Sequence, residues 1–260
     1  MDLGLGIDTG GTYTDTALVE LGTGKVLAKA KALTTRNDLS IGISESIQNM
    51  GHVPVREVRL VSLSSTLATN SVVEGKGCRV ALIIAGEDYK ESVPVEHVIQ
   101  IQGGHSIRGR PNCDVDLAAA KSFVASISDQ VDAIAISTFF SVRNPEHEIA
   151  LKEMIASNWD LPVVCGHELS TQLGFHERTL TAVLNAKLIP IKAELIQSVN
   201  KVLNDYNIKA PLMIVKGDGS LMGEMLAKER PVETILSGPA ASLVGARNLT
   251  GEDDAVVVDV

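Results

Sequence analysis

The 260-residue chain reads as an α/β protein with a partly parallel sheet. Three observations predict this. A glycine-broken pair of strands opens the chain over residues 3–16. Short apolar, β-branched runs recur at residues 58–63, 79–85, 133–137 and 211–215. Between most of these runs, apolar residues return at helical spacing, and strands alternating with helices build a parallel sheet.

Taken in order, Leu3, Leu5 and Ile7 alternate as a strand ending on Asp8. Gly10 and Gly11 supply a tight reversal where positive φ costs little. Thr12, Thr14 and Thr16 then set hydroxyls on one face of a second strand, and a third is predicted near residues 25–32. Leu39, Ile43, Ile47 and Met50 share a helix face that Gly51 terminates. The buried strand at 58–63 runs into Ser64-Ser65-Thr66, and 79–85 is another such strand. Residues 86–113, rich in Gly, Pro and His, read as a long excursion from the sheet.

Leu117, Ala120, Val124 and Ile127 form a helical stripe ahead of the strand at 133–137. Asn144-Pro145 is an N-cap and first-turn pair for a helix to about residue 157. A short strand at 163–165 precedes a long helical stretch, 175–203, which Pro190 should break or bend. After the strand at 211–215, Ser237-Gly238-Pro239 opens a helix to about residue 248. Residues 255–260 read as an apolar strand carrying Asp259, an echo of 3–8. Strands of this kind sit mid-sheet. The echo therefore predicts a cut chain, with a second glycine–threonine hairpin following Val260; the alternative is an edge strand closing the sheet.

Length suits one large or two modest domains. A net charge of −9 without any basic block argues against nucleic acid as a partner. Aromatic residues, at 3%, are too few for base-stacking platforms. No apolar run is long enough to cross a bilayer, and the N-terminus lacks the pattern of a signal peptide. Cys78, Cys113 and Cys165 are odd in number and without paired spacing, which predicts reduced thiols in a soluble, cytoplasmic protein. The histidines show no i, i+4 pairing, so no protein-built transition-metal site is expected.

The opening hairpin carries the chemistry. Its tip offers backbone N–H groups and hydroxyls beside a carboxylate. That equipment suits a polyphosphate with hydrated Mg²⁺: amides and hydroxyls take phosphate oxygens, and Asp8 faces the metal through water. A plain glycine turn with a solvated acid is the alternative, but the full run Asp8, Thr9, Gly10, Gly11, Thr12, Tyr13, Thr14, Asp15 favours phosphate. It is not a Walker loop, which needs Lys-Ser/Thr opening a helix, nor a dinucleotide fingerprint, since a strand follows the glycines.

Two further clusters stand between structural and functional readings. Ser65, Thr66, Thr69 and Asn70 begin a helix after a buried strand, where an N-cap or an anion site would each explain them. Arg178, Thr181 and Asn185 share one helical face, which is either solvated or a site. Gly103-Gly104-His105 reads as a surface loop, with a pocket lining as the alternative.

Together these strings resemble the hydantoinase A / 5-oxoprolinase family, within the superfamily of actin, sugar-kinase and heat-shock-chaperone ATPases. The anchors are Gly6-Ile-Asp-Thr-Gly-Gly-Thr-Tyr-Thr-Asp15, Ser65-Thr-Leu-Ala-Thr-Asn70, Phe139-Phe-Ser-Val-Arg-Asn-Pro-Glu-His147, Glu177-Arg-Thr-Leu-Thr181 with Asn185-Ala186, Ser220-Leu-Met222, and Ile235-Leu-Ser-Gly-Pro-Ala-Ala241. The resemblance implies ribonuclease-H-like lobes of actin-like ATPase type, each a mixed sheet flanked by helices and each giving one glycine hairpin to ATP. It implies a first lobe over 1–185, with the hairpin at 6–16 and the excursion at 86–113. The start of a second, hydantoinase A-type lobe follows over 186–260, cut before its own hairpin.

Asp8 and Asp259 then match the catalytic aspartates of the two loops. Asp8 to Asp15 would hold ATP and Mg²⁺, and Ser65, Thr66, Thr69, Asn70, Arg178 and Asn185 would face a small-molecule substrate. The implied reaction is phosphorylation of a lactam- or hydantoin-like oxygen for ring opening. A carboxylase subunit or small-molecule kinase is the alternative, and an ATP-gated binding module comes third. A second hydantoinase-type subunit and a homo-oligomer stay open. Lys216-Gly-Asp-Gly219 departs from the family pattern, which puts the usual hydantoin or oxoproline substrate in doubt.

Overall fold

A computed structural model describes residues 2–86, 88–252 and 254–258. Strands β1 (Leu3–Thr9), β2 (Tyr13–Glu20) and β3 (Val26–Leu33) lead to helix α1 (Leu39–Asn49), whose first turn is capped by Asp38. Next come β4 (Val58–Ser65), α2 (Leu67–Val73), β5 (Val80–Ala85), β6 (His97–Ile101) and α3 (Leu117–Ile127). Then follow β7 (Ala133–Thr138), α4 (Glu146–Ala156), β8 (Val163–Cys165), α5 (Gly166–Leu169) and α6 (Phe175–Asp205). The chain continues through β9 (Leu212–Val215), β10 (Leu221–Gly223), α7 (Glu224–Glu229) and α8 (Ser237–Thr250).

The chain divides into two compact units. The first comprises residues 1–75 and 189–260, and the second residues 76–188. This cuts the chain differently from the boundary at 185, because the first unit is discontinuous and the second is inserted after α2.

The first unit holds a six-stranded sheet in the order β10-β9-β4-β1-β2-β3. Pairing is antiparallel among β1, β2 and β3, and parallel for β1 with β4 and β4 with β9. Alternation sends Leu3, Leu5 and Ile7 into a core with Val61 and Leu63, covered by Ile43 and Ile47 of α1 and Ile196 and Val199 of α6. The opposite face carries Gly6, Asp8, Asp15 and Ser64, which line a pocket of about 810 Å³ with Ala241 and Gly245 of α8.

The second unit is a four-stranded, all-parallel sheet, β6-β5-β7-β8. Every residue of β5 and β7 is buried, so both strands are apolar almost throughout, as strands covered on both faces must be. From β5 the chain goes first to β6 on one side and then to β7 on the other. The topology therefore reverses between β5 and β7.

Three expectations need correction. The excursion over 86–113 contains β6, whose His97-Val-Ile-Gln-Ile101 alternation is that of an edge strand; turn-forming flanks conceal it. Residues 255–258 join no ladder, and Asp259 lies outside the described residues. Lastly, of the two outcomes expected at Pro190, a break or a bend, the break fails, since α6 runs through it.

A proline inside a helix leaves the carbonyl four residues back without its donor. Here that carbonyl is Ala186 O, and it accepts from the Cys78 thiol at 3.3 Å, while Cys78 N–H donates to Lys187 O at 3.2 Å. The residue entering β5 thus supplies the donor that Pro190 lacks and adds a second bond beside it. Burial raises the Cys78 thiol to about 11, which keeps its proton in place at neutral pH. Cys78→Ala is expected to cost about 1–2 kcal/mol by leaving Ala186 O unmet, with Cys78→Ser retaining part of that. Urea unfolding of the three proteins checks it, and equal midpoints would remove the explanation.

Candidate functional site

In the first unit, the candidate site is built by the ends of β1 and β4. The β1–β2 ladder closes at Thr9↔Thr14, with Gly10 N–H on Tyr13 O at 2.9 Å, so Gly11 and Thr12 lie beyond the last rung. A Cβ on Gly10 would sit 2.9 Å from Tyr13 O, and one on Gly11 3.2 Å from the Asn70 amide nitrogen. The Tyr13 carbonyl excludes a side chain at Gly10, and one at Gly11 would have to displace the Asn70 amide. Neither glycine has the positive φ expected of it, so clearance and not a left-handed turn calls for glycine at this backbone-lined cradle.

Parallel register places Asp8 opposite Ser64 and Thr9 opposite Ser65. Ser64 Oγ donates to Asp8 Oδ1 at 2.7 Å and fixes the carboxylate. Ser65 Oγ donates to Thr9 O at 2.9 Å and accepts from Leu67 N–H at 3.1 Å, tying the hairpin to the start of α2. The N-terminus of α8 arrives at the same place. Ser237 Oγ donates to Ser65 O at 3.1 Å, and Leu236, in left-handed conformation at φ 63°, donates its N–H to Thr69 Oγ1 at 3.0 Å. A helix N-terminus beside a glycine tip favours an anion.

The structure sorts the expected residues by face. Asp8 and Asp15 are cross-strand partners on the pocket side, where Asp15 pairs with Lys31 at 3.4 Å. Thr12 and Tyr13 are exposed at the tip. Thr9 and Thr14 point the other way. Thr14 Oγ1 is buried against Thr34 Oγ1 at 3.0 Å, and Thr16 Oγ1 donates to Ser46 O at 3.1 Å. The alternating hydroxyls therefore serve the packing of β2, on the face away from Asp8. Ser65, Thr66, Thr69 and Asn70 do gather under the hairpin, where Ser65 and Thr69 hold backbone. The segment Lys216 to Gly219 is the turn between β9 and β10, with Lys216 bonded to Glu233 at 3.0 Å.

In the second unit, Arg178 and Asn185 are both buried, which overturns the solvated-face alternative. Arg178 donates to Gln172 O at 3.0 Å, Gly174 O at 3.3 Å and Thr138 O at 3.3 Å. His105 is buried as well, so the reading of its segment as a surface loop fails at that residue. Its ring lies 4.1 Å from that of His147, whose Nδ1 accepts from Gly104 N–H at 3.0 Å.

Glu148, Cys165 and His167 bring metal-ligating atoms within 4.8 Å of one another, a grouping that sequence spacing does not reveal. The Glu148 carboxylate is already engaged there. It accepts from Thr138 N–H at 2.8 Å, from His167 N–H at 2.9 Å and from the His167 ring at 2.5 Å. Burial raises the Cys165 thiol further, so it is not a ready thiolate. This donor set holds β7, α4 and α5 together through the Glu148 carboxylate. Lys192, in α6 of the first unit, is also buried, which lowers its pKa to about 8. Nothing in its sequence context marks it.

Comparison with known proteins follows this geometry. The hydantoinase/oxoprolinase N-terminal region matches residues 4–159, and the hydantoinase/oxoprolinase region matches 178–260. The chain belongs to the hydantoinase/oxoprolinase family. Caprolactamase subunit alpha of Pseudomonas jessenii is 29% identical over 98% of the chain and 42% of its own length. The acetophenone carboxylase gamma subunit of Aromatoleum aromaticum is 25% identical, over 98% and 40%. The crystal structure of the ATP-dependent caprolactamase from Pseudomonas jessenii superposes with a TM-score of 0.76 at 30% identity, over 92% of this chain and 39% of that one. The fold is thus that of the actin-like ATPase type, and the chain spans about two-fifths of these relatives. Among the described residues no helix is long and apolar enough to cross a membrane.

The histidine pair gives a pH prediction. Burial lowers the pKa of both rings, and His147 lowers His105 further, against the opposing pull of Glu146 on both, Glu148 on His105 and Asp114 on His147. A ring with a depressed folded pKa is neutral in the native state. Its contribution is complete above the unfolded pKa, about 6.5, and is lost as pH falls through the folded value. The urea midpoint is expected to drop between pH 7.5 and 5.5, and to drop less in His105→Gln. A midpoint independent of pH over that range would contradict the assignment.

Proposed function

We propose that this chain supplies the first phosphate-binding hairpin of an ATP site, and that the protein uses ATP to activate a cyclic amide for ring opening. The observation that carries the reading is the convergence at the end of β1. A two-glycine tip, a carboxylate oriented by Ser64 and the N-terminus of α8 lie within one unit. The family membership and the likeness to an ATP-dependent caprolactamase support the same choice.

The residues present fit a magnesium nucleotide. Backbone N–H groups of Gly11 and Thr12 would take phosphate oxygens, for which a side-chain-free tip leaves room. Asp8 would hold Mg²⁺ through water, and Ser64 keeps the carboxylate from rotating away. Bound ATP supplies a transferable phosphoryl group, and the protein contributes chiefly positioning and charge neutralisation. Phosphorylation of an amide oxygen turns a poor electrophile into one that water attacks. We assign regions 1–185 and 186–260 to the two family lobes, and Asp259 to the second loop. A partner subunit belongs to the same proposal, since two of the relatives are themselves subunits.

A second reading is supported by matches to two carboxylase subunits, acetophenone carboxylase gamma and acetone carboxylase beta. ADP release measured with lactams and with ketones, each with and without bicarbonate, separates the two. Release with a lactam and no bicarbonate supports the hydrolase, and a strict bicarbonate requirement supports the carboxylase. A phosphorylated product that persists would indicate a kinase instead. Asp8→Ala is expected to lower ATP-dependent turnover by about 100-fold or more, with an unchanged circular dichroism spectrum. Turnover near the wild-type rate would exclude Asp8 from the site.

A further inference from the structure

The end of the first unit's sheet that carries the glycine tip also presents a cation, Arg36, that no described residue engages. It lies between β3 and α1, as the first central residue of a turn closed by Asp38 N–H on Thr35 O at 3.2 Å. On one side this turn is fastened to the hairpin. Thr34 N–H donates to Thr12 O at 2.8 Å, and the Thr34 and Thr14 hydroxyls meet at 3.0 Å. On the other side it is fastened to α1. Thr35 Oγ1 donates to Asp38 O at 2.6 Å and accepts from Gly42 N–H at 3.1 Å, and a Cβ on Gly42 would collide with Leu33 O. The backbone that carries Arg36 is therefore placed by the hairpin that forms the cradle.

The guanidinium reaches the cradle. A Cβ on Gly11 would lie 4.0 Å from Arg36 Nη2 and 3.2 Å from Asn70 Nδ2. An atom resting on Gly11 where a side chain would otherwise stand is thus beside both groups. The Asn70 amide has one long bond, 3.5 Å to Thr66 Oγ1. Arg36 is exposed and has no acceptor among the described residues. The acids around the tip are engaged elsewhere. Asp38 accepts from Ser40 N–H at 2.9 Å and Ser40 Oγ at 2.6 Å, and Lys201 stands 3.8 Å away. Asp15 pairs with Lys31, whose ammonium lies 4.8 Å over the Tyr13 ring, and Asp8 is held by Ser64. A chain of net charge −9 thus leaves a guanidinium uncompensated beside backbone donors. That is an electrostatic setting for a strongly anionic ligand.

We propose that Arg36 is a phosphate-binding residue of this site, its guanidinium and the Asn70 amide donating to the phosphate that rests on Gly11. The inference rests on the ATP reading above and adds a side chain that neither the glycine hairpin nor the N-terminus of α8 implies. Backbone amides are neutral, and the two carboxylates on the pocket side of the hairpin repel a phosphate chain. Lys31 is spent on one of them. Arg36 supplies positive charge that is not, and its planar fork of N–H donors matches a pair of phosphate oxygens. Glycine at position 11 then has a second purpose: its missing side chain leaves Arg36 and Asn70 open to the ligand.

The test is protection of the unmodified protein from phenylglyoxal, which attacks exposed arginines, with modification at each arginine read by peptide mass spectrometry. Saturating MgATP is expected to protect Arg36, and adenosine is not. Arg56, exposed ahead of β4 at the opposite end of that strand, should react at an unchanged rate. By calorimetry, Arg36→Gln should raise the Kd of MgATP about tenfold or more. Arg36→Lys, which keeps the charge and loses the fork, should raise it less. Both variants should keep the parent Tm without nucleotide, since no described residue depends on the guanidinium. The proposal is overturned if Arg36 reacts equally fast with MgATP bound, if adenosine alone protects it, or if Arg36→Gln leaves Kd unchanged. Any of these, with MgATP still bound and Asp8→Ala still weakening it, leaves the hairpin reading standing. Failure of the parent protein to bind MgATP removes the ATP reading itself, and Arg36 with it.

Discussion

The parallel pairing of β1 with β4 is the constraint on which the first unit's candidate site depends. In that register Asp8 faces Ser64 and Thr9 faces Ser65, and the two serines act on opposite faces of the sheet. Ser64 orients a carboxylate, whereas Ser65 joins the hairpin to α2 through Thr9 O and Leu67 N–H. A slip of one residue would turn Asp8 into the core and Ile7 out of it. The burial of Leu3, Leu5 and Ile7 forbids that slip, so the packing of the core face fixes the chemistry of the other. Everything downstream inherits the register. Thr69 meets Leu236 and Ser65 meets Ser237 only because α2 starts where β4 ends.

The second unit rests on a buried acid in place of a register. Glu148 is fully buried, and a carboxyl group in that position is tolerable only with its oxygens hydrogen-bonded. The donors come from Thr138 at the end of β7 and from His167 at the start of α5, so one carboxylate fixes where two strands stop. Arg178 does the converse with three backbone carbonyls. Such groups hold a structure by what their loss would leave unpaired.

Much of the fold is legible in the sequence where local pattern and tertiary packing agree. The alternation in β1, the stripe of α1 and the apolar runs of β5 and β7 each report a buried face directly. The strand β6 is hidden because an edge strand buries one side only and its flanks are rich in turn-forming residues. Pro190 misleads for a different reason: the donor that repairs the helix is Cys78, more than 100 residues away in sequence. The faces of Thr14 and Thr16 were legible in principle, since both pair with residues of known alternation. Thr14 sits opposite Thr9 and Thr16 opposite Ile7, which places them with the core and apart from Asp8. The burial of Arg178 and Asn185 was not legible, because polar residues at helical spacing look alike whether water or protein covers them.

The two units also differ in how their polar groups are brought together, and that difference explains why one grouping could be read and the other could not. A site made of backbone donors needs glycine at fixed spacing, since any Cβ at Gly10 or Gly11 would meet the Tyr13 carbonyl or the Asn70 amide. Its requirements are local and leave a string in the sequence. A buried polar cluster made of side chains needs only that the groups meet in the fold, and the chain can deliver them from any distance. His105, Thr138, Ser141 and Arg178 come from four separate segments, and no spacing links them. What links them is the reversal between β5 and β7, a property of connection order that appears only once the strands are paired. Topology, more than motif, is therefore what exposes the second group of residues.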